Sequence, residues 1–220
     1  MSATAMILGW WLAFAGSHWV LSSLAIRRPL VEKLGENGFR GLYSIVAFAT
    51  FVPLVWTYFG HKHEGPLLWA VPHTLATRWI VYVLMGAAFV LLTASFVKPS
   101  PAGVVPGPAN PVGAFRITRH PLLMAFAIFG LAHLLLNGSA ADVAFFGGFV
   151  LFSPLGAWHQ DQRKLAMGTP GYAEFHRATP FLPFTGPETV RGIRELGPVI
   201  AIGIVVTAVV RYFHGSWFGG

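Results

Sequence analysis

Six stretches of this chain are so apolar that water cannot be their main solvent. They are Ser2–Leu24, Leu42–Phe59, Trp79–Val97, Leu122–Leu136, Val143–Trp158 and Pro198–Val210, and none holds an Asp, Glu, Lys or Arg. A membrane-spanning helix takes roughly 20 mostly apolar residues, so six spans joined by loops use up the chain. Only 10% of the residues are charged, against about 25% in an ordinary soluble domain. The expected fold is therefore all-α: a polytopic membrane helical bundle of about six transmembrane helices, forming a single multi-pass domain over 1–220. The first stretch lacks a basic leader and a small-residue cleavage site, so it reads as a retained span and not a signal peptide.

Local signals refine this outline. Pro53 and Pro154 lie inside spans two and five, where kinks are expected. Asn137-Gly138-Ser139 is a tight-turn signal that makes spans four and five an antiparallel hairpin. Leu67–Leu75, with Trp69, Pro72 and His73, is too short to span and is expected along the membrane surface. The loop Lys98–Pro111 carries Pro99, Pro101, Pro106, Pro108 and Pro111 and is expected to be extended.

Basic residues set the orientation. Loops one, three and five hold twelve of the fifteen Lys and Arg residues, including Arg27, Arg28, Arg40, Arg116, Arg119, Arg163 and Lys164. The excess places these loops on the cytoplasmic side and both termini outside. The net charge of +7 then reflects orientation and contact with the anionic lipid bilayer. No basic helix or aromatic RNA-binding motif points to nucleic acid. The chain has no cysteine, which excludes disulfides, thiolate metal sites and thiol nucleophiles.

Ionisable residues inside spans are functional candidates, because lipid penalises them. His18 in span one and His133 in span four qualify. Neutral imidazole ligates haem iron, and two histidines on different helices can clamp one. Equally, each can hydrogen-bond a carbonyl of a neighbouring helix. Their expected depths differ by about 9 Å at 1.5 Å per residue. A second group is Arg116-Ile117-Thr118-Arg119-His120-Pro121. Pro121 suits the first helical turn, Thr118 or His120 can cap it, and two arginines at a helix N-terminus attract anions. Plain contact with lipid phosphate is the other reading. A third group runs Trp158-His159-Gln160-Asp161-Gln162-Arg163-Lys164 and continues with Tyr172, Glu174, His176 and Thr179-Pro180-Phe181-Leu182-Pro183. Asp161 is expected to pair with Arg119 or Arg116, or to be a solvated helix end. His61, His63 and His73 lack good ligand spacing for a metal.

Several motifs, in order, resemble the NnrU family: Gly16-Ser17-His18, Arg27-Arg28-Pro29, Gly38-Phe39-Arg40-Gly41-Leu42-Tyr43-Ser44, Arg116–Pro121, Leu131-Ala132-His133, Gly156-Ala157-Trp158 and Asp161. The resemblance implies a bacterial inner (cytoplasmic) membrane protein linked to nitrite and nitric oxide metabolism, with a small apolar or nitrogen-oxide ligand. The same domain is similar to zeta-carotene isomerase, a haem b protein that isomerises a central cis double bond. That similarity implies haem b with His18 and His133 as axial ligands to iron; Arg116, Arg119 and His120 would then hold its propionates or shape the cytoplasmic mouth. Gly130 aligns with a cysteine of the plant isomerase, and Phe152 and Ser153 with its histidines. A more distant likeness to isoprenylcysteine and thiol methyltransferases implies the alternative cofactor S-adenosylmethionine, bound by Arg119, His120, Asp161 and Tyr172. A non-enzymatic partner of a nitrogen-oxide complex is the third reading.

Overall fold

A computed structural model describes residues 1–103 and 107–218; Pro106 of the proline-rich loop lies outside them. Eight α-helices follow in order: α1 (Ala3–Ser22), α2 (Leu24–Gly60), α3 (Leu75–Val97), α4 (Pro121–Leu136), α5 (Ala140–Ala166), α6 (Tyr172–Ala178), α7 (Thr189–Leu196) and α8 (Pro198–Phe218). No strand occurs among the described residues. Five helices are long and apolar enough to cross a membrane, namely α1, α2, α3, α5 and α8, and α4 is a shorter apolar helix of 16 residues. At 1.5 Å per residue α4 extends about 24 Å, short of the roughly 30 Å hydrocarbon core. It is enclosed between α3 and α5. The helical membrane bundle expected from the sequence is the observed fold.

The helices pack in the order α2, α1, α5, α4, α3, α8, with α5 and α4 central. Two cores result. Between α1, α2 and α5 the core is aromatic, built on Trp11, Tyr58, Phe145, Phe146 and Phe149. Between α3, α4 and α8 it is small and aliphatic, with Ala88, Leu91, Ala94, Met124, Ala125 and Ile128. Close approach explains the second type. A Cβ on Gly203 of α8 would lie 2.9 Å from the Val90 backbone nitrogen of α3; at the separate α4–α5 seam, one on Gly130 would lie 2.6 Å from the Phe146 carbonyl oxygen. Without a hydrophobic force between helices in lipid, such backbone proximity supplies the dispersion contacts that hold them. Large apolar side chains instead cover the outer faces, with Leu12, Trp56 and Phe96 at least 75% exposed, as lipid contact requires.

Pro53 and Pro154 lie within helices that continue through them. The sharp change of direction in α2 occurs at Gly35, whose φ of 70° lies in the left-handed region that glycine adopts without a Cβ penalty. The Arg27–Glu36 ion pair, at 2.9 Å, closes this corner. The first part of α2 is thus a short helix folded back beside the second. The expected hairpin of α4 and α5 is present. Ser139 caps α5 by accepting from the Asp142 amide at 3.2 Å, supporting the first turn. Leu67–Leu75 does not simply lie along the surface. Its first residues run extended across the hairpin turn, with the Leu68 amide donating to Gly138 O at 2.8 Å and the Trp69 indole to Leu134 O at 2.9 Å.

These contacts sort the loops. Loops two and four meet at one end of the bundle, beside both termini: Gly65 packs near Thr4, and Lys62 bonds the Phe218 carbonyl. Loops one, three and five gather at the other end. The charge alternation read from the sequence therefore corresponds to a real division between two ends.

Candidate functional site

A cavity of about 530 Å³ opens between α1, α2, α4 and α5 at the cation-rich end. Its inner wall is aromatic, with Phe14, Phe51, Phe126, Phe149 and Phe152. His18 forms part of that wall, edge-on to Tyr43 and Phe152 at centroid distances of 4.9 and 5.6 Å. Its Nδ1 bonds the Phe14 carbonyl at 2.7 Å. A ring whose Nδ1–H donates in this way keeps its lone pair on Nε2, the arrangement found when a histidine ligates a metal. The outer wall is different, since Arg27, Arg40, Arg163 and Lys164 line it with one carboxylate, Glu36.

His133 has the same local chemistry in another place. Its Nδ1 bonds the Phe129 carbonyl at 2.9 Å, but its ring stacks on Phe146 at 4.6 Å and lies 6.4 Å from the His214 ring. It is not part of the cavity wall. Phe152 and Phe146, the α5 neighbours of the two histidines, are six residues apart, about 9 Å along the helix. Phe149 sits between them, touching Trp11 and Phe51 on one side and Phe126 and Phe129 on the other. In this structure the two imidazoles face different surroundings. The donor set at His18 fits one axial ligand to a haem iron; the joint clamp with His133 does not fit.

The Arg-His-Pro corner is a closed network. Asp161, 1% exposed, accepts from Arg119 Nε at 2.8 Å, His120 Nε2 at 2.7 Å and the Tyr172 hydroxyl at 2.6 Å. Arg119 also donates to Thr179 O at 2.8 Å and to His176 Nε2 at 3.1 Å. Burial and the neighbouring Asp161 push the Tyr172 phenol far above its ordinary value, so it remains a donor. Burial and then Arg119 lower His176, which keeps Nε2 an acceptor. The expected partner of Asp161 is thus Arg119. Arg116 pairs instead with Glu188 and Glu195, each at 3.0 Å, and Gly113 N donates to Glu195 at 2.7 Å, which holds that carboxyl below its usual range. Thr118 bonds Phe181 O, and His120 occupies the cap position of α4 without a side-chain cap bond. Arg116, Arg119 and His120 therefore do not line the cavity, and the propionate role assigned to them does not match this geometry. The four residues assigned to S-adenosylmethionine bond one another, fastening α4, α5 and α6. His61 pairs with Glu64 and His63 with Asp142, and no cluster of three or more potential metal ligands occurs among the described residues.

The sequence grouped Arg163 and Lys164 with Asp161, but it did not bring them together with Arg27 and Arg40 as the cations of one cavity, and it did not single out His214. A signal existed for the former: on α5 the cavity residues Phe149, Phe152, Gly156, Gln160, Arg163 and Met167 recur every three or four positions, one helical stripe.

Comparison with known proteins follows the geometry. The family model described as NnrU protein matches residues 5–220. The 15-cis-zeta-carotene isomerases of the chloroplasts of Zea mays and Arabidopsis thaliana are each 27% identical to this chain, over 180 and 177 residues. The alignment covers 79% of this chain in both cases, and 48% and 47% of the relatives. The chain thus spans about half the length of the curated relatives it matches. No solved structure matches.

Proposed function

Because this chain belongs to the NnrU family, we propose that it is an isomerase-like membrane protein that takes an elongated polyene into the cavity beside His18. The aromatic wall carries this reading. Phe14, Phe51, Phe126, Phe149 and Phe152 offer π faces and edges to a flat conjugated chain, and they contribute no competing hydrogen bonds. Support also comes from the plant isomerases, whose name specifies a 15-cis carotene substrate.

Haem b is the cofactor we assign, with His18 Nε2 as the ligand and Phe14 O fixing the tautomer. Bound haem would supply an iron that exchanges electrons with a polyene, or binds a nitrogen oxide, beside the cavity. The chain's own residues orient and exclude. Tyr43 and Phe152 hold the His18 ring edge-on, and the aromatic wall keeps water from the apolar part. No thiol assists, since the chain has no cysteine. The location we assign is the bacterial cytoplasmic membrane, with the cation-rich end inside, following the charge rule.

Absorption spectra of the purified protein, oxidised and reduced, test the assignment. A Soret band is expected after expression with ample haem, abolished by His18→Ala and retained in His133→Ala, and shifted by nitric oxide in the reduced state. No band in the wild type, or one unchanged by His18→Ala, overturns haem binding at this site. Loss of the band in both variants would overturn the single-ligand geometry and restore the joint clamp. Turnover of a 15-cis polyene by the haem-loaded protein, absent in His18→Ala, is the matching activity test.

A further inference from the structure

The polyene reading accounts for the aromatic wall of the cavity and leaves its other wall unexplained. Four cations, Arg27, Arg40, Arg163 and Lys164, line that part against one carboxylate, Glu36. Glu36 is occupied by Arg27 at 2.9 Å. Arg40, Arg163 and Lys164 are each partly buried, and their side chains make no ion pair or hydrogen bond among the described residues. Like charges gathered at a low-dielectric wall repel one another, and partial burial weakens the screening that solvent would give. Such a cluster is stable when an anion completes it.

A second, separate observation points the same way. His159 Nε2 is buried without a hydrogen-bond partner, and His159 lines the same cavity, its ring stacked on Trp19 at 5.7 Å. A buried polar atom left unpaired is costly. An oxyanion at this wall would satisfy it together with the guanidinium groups.

The order of groups along α5 gives the shape of the ligand. From Phe149 and Phe152, through His159 and Gln160, to Arg163 and Lys164, the stripe passes from aromatic to neutral polar to cationic. Phe149 and Arg163 are fourteen positions apart, about 21 Å along the helix.

We propose that the cavity binds an acidic amphiphile, with a carboxylate or phosphate head on Arg163, Lys164, Arg40 and His159 and a long apolar body along Phe149 and Phe152. This rests on the reading that the cavity is a ligand chamber, and it adds that the ligand is not a pure hydrocarbon. Arginine suits the head because its planar fork matches both oxyanions.

The test uses cis-parinaric acid, a conjugated polyene carboxylate, beside its methyl ester. Trp11 and Trp19 line the cavity, so energy transfer from tryptophan to the tetraene reports binding to the full chain in neutral detergent. The acid is expected to bind at least about tenfold more tightly than the ester, the scale of one charge-assisted hydrogen bond. Arg163→Gln is expected to close that gap while ester binding stays the same. Arg40→Gln serves as the second variant if Arg163→Gln does not fold. Equal affinity for acid and ester in the wild type overturns the acidic-head site and leaves the chamber standing. Binding of neither probe overturns the chamber, and this proposal with it. Competition separates the sources of the head: displacement by dioleoyl phosphatidic acid but not by inorganic phosphate supports an amphiphile. Equal displacement by inorganic phosphate overturns it in favour of a free-anion site.

Discussion

The two ends of α5 each bury an aspartate, and they neutralise it differently. At one end Asp142, 1% exposed, accepts from the Tyr58 hydroxyl at 2.9 Å and the Ser139 hydroxyl at 2.7 Å, with His63 Nδ1 at 3.0 Å. At the other end Asp161 likewise has a tyrosine and a histidine, and in addition the guanidinium of Arg119. A permanent cation makes the second end a fixed ion pair that joins three helices. The first relies on hydroxyls and an imidazole whose side chain is 59% exposed. Beside the Asp161 end, where the cavity opens, Arg27, Arg40, Arg163 and Lys164 gather around one carboxylate, Glu36. The difference teaches that a buried carboxylate can be held with or without a cation. The extra arginine marks the end that carries a dense positive field.

The largest expected effect is from Arg119→Met. It leaves Asp161 buried without its cation, and the loss should be about 3–5 kcal/mol, read as a large drop in thermal midpoint in detergent. Adding Asp161→Leu should recover much of that loss, since replacing both charges removes the desolvation penalty as well. A double variant no more stable than the single would break the ion-pair account of this end.

Tyrosine deletions come next. Tyr58→Phe should cost about 1–3 kcal/mol, the range for a buried acceptor that loses a donor. Tyr172→Phe should cost less, because Arg119 and His120 still serve Asp161. Reversal of that order in unfolding experiments would mean that the cation does not set the difference between the ends.

The smallest effect concerns pH. His176 accepts from Arg119 and its value lies below the ordinary 6.5, because burial and then Arg119 disfavour the charged ring. Its contribution is therefore present above pH 6.5 and lost as the pH falls through the lowered value. After correction for the intrinsic pH dependence of amide exchange, the protection of Tyr172–Ala178 should fall on mild acidification, and His176→Gln should remove that dependence. A protection factor in this segment that is indifferent to pH in the wild type would show that the ring does not hold α6.

Much of this was legible residue by residue. The apolar runs gave the helices, because a lipid-spanning segment must satisfy its own backbone. Asn137-Gly138-Ser139 marked the hairpin, and Asp161 with Arg119 was a readable pair, since a rare acid at a helix end needs a cation nearby. His18 and His133 stood out by the cost of imidazole in lipid. Their difference in depth was legible too, because depth follows from counting residues, but their different surroundings were not, because facing depends on helix rotation. The same holds for Arg116, which the sequence offered as an alternative partner of Asp161 and which instead pairs with Glu188 and Glu195.

Composition and periodicity by themselves determined the solvent, the helical class and the two groups of loops, because each is a sum over many residues along the chain. Tertiary packing alone decided that Phe149 stands between the two histidines, that Gly130 lies against the backbone of α5, and that His159 meets Arg163 around a cavity. Those outcomes depend on how far one helix is rotated about its axis against the next. A residue's 100° of helical turn changes its neighbours completely while leaving the hydropathy of the segment unchanged.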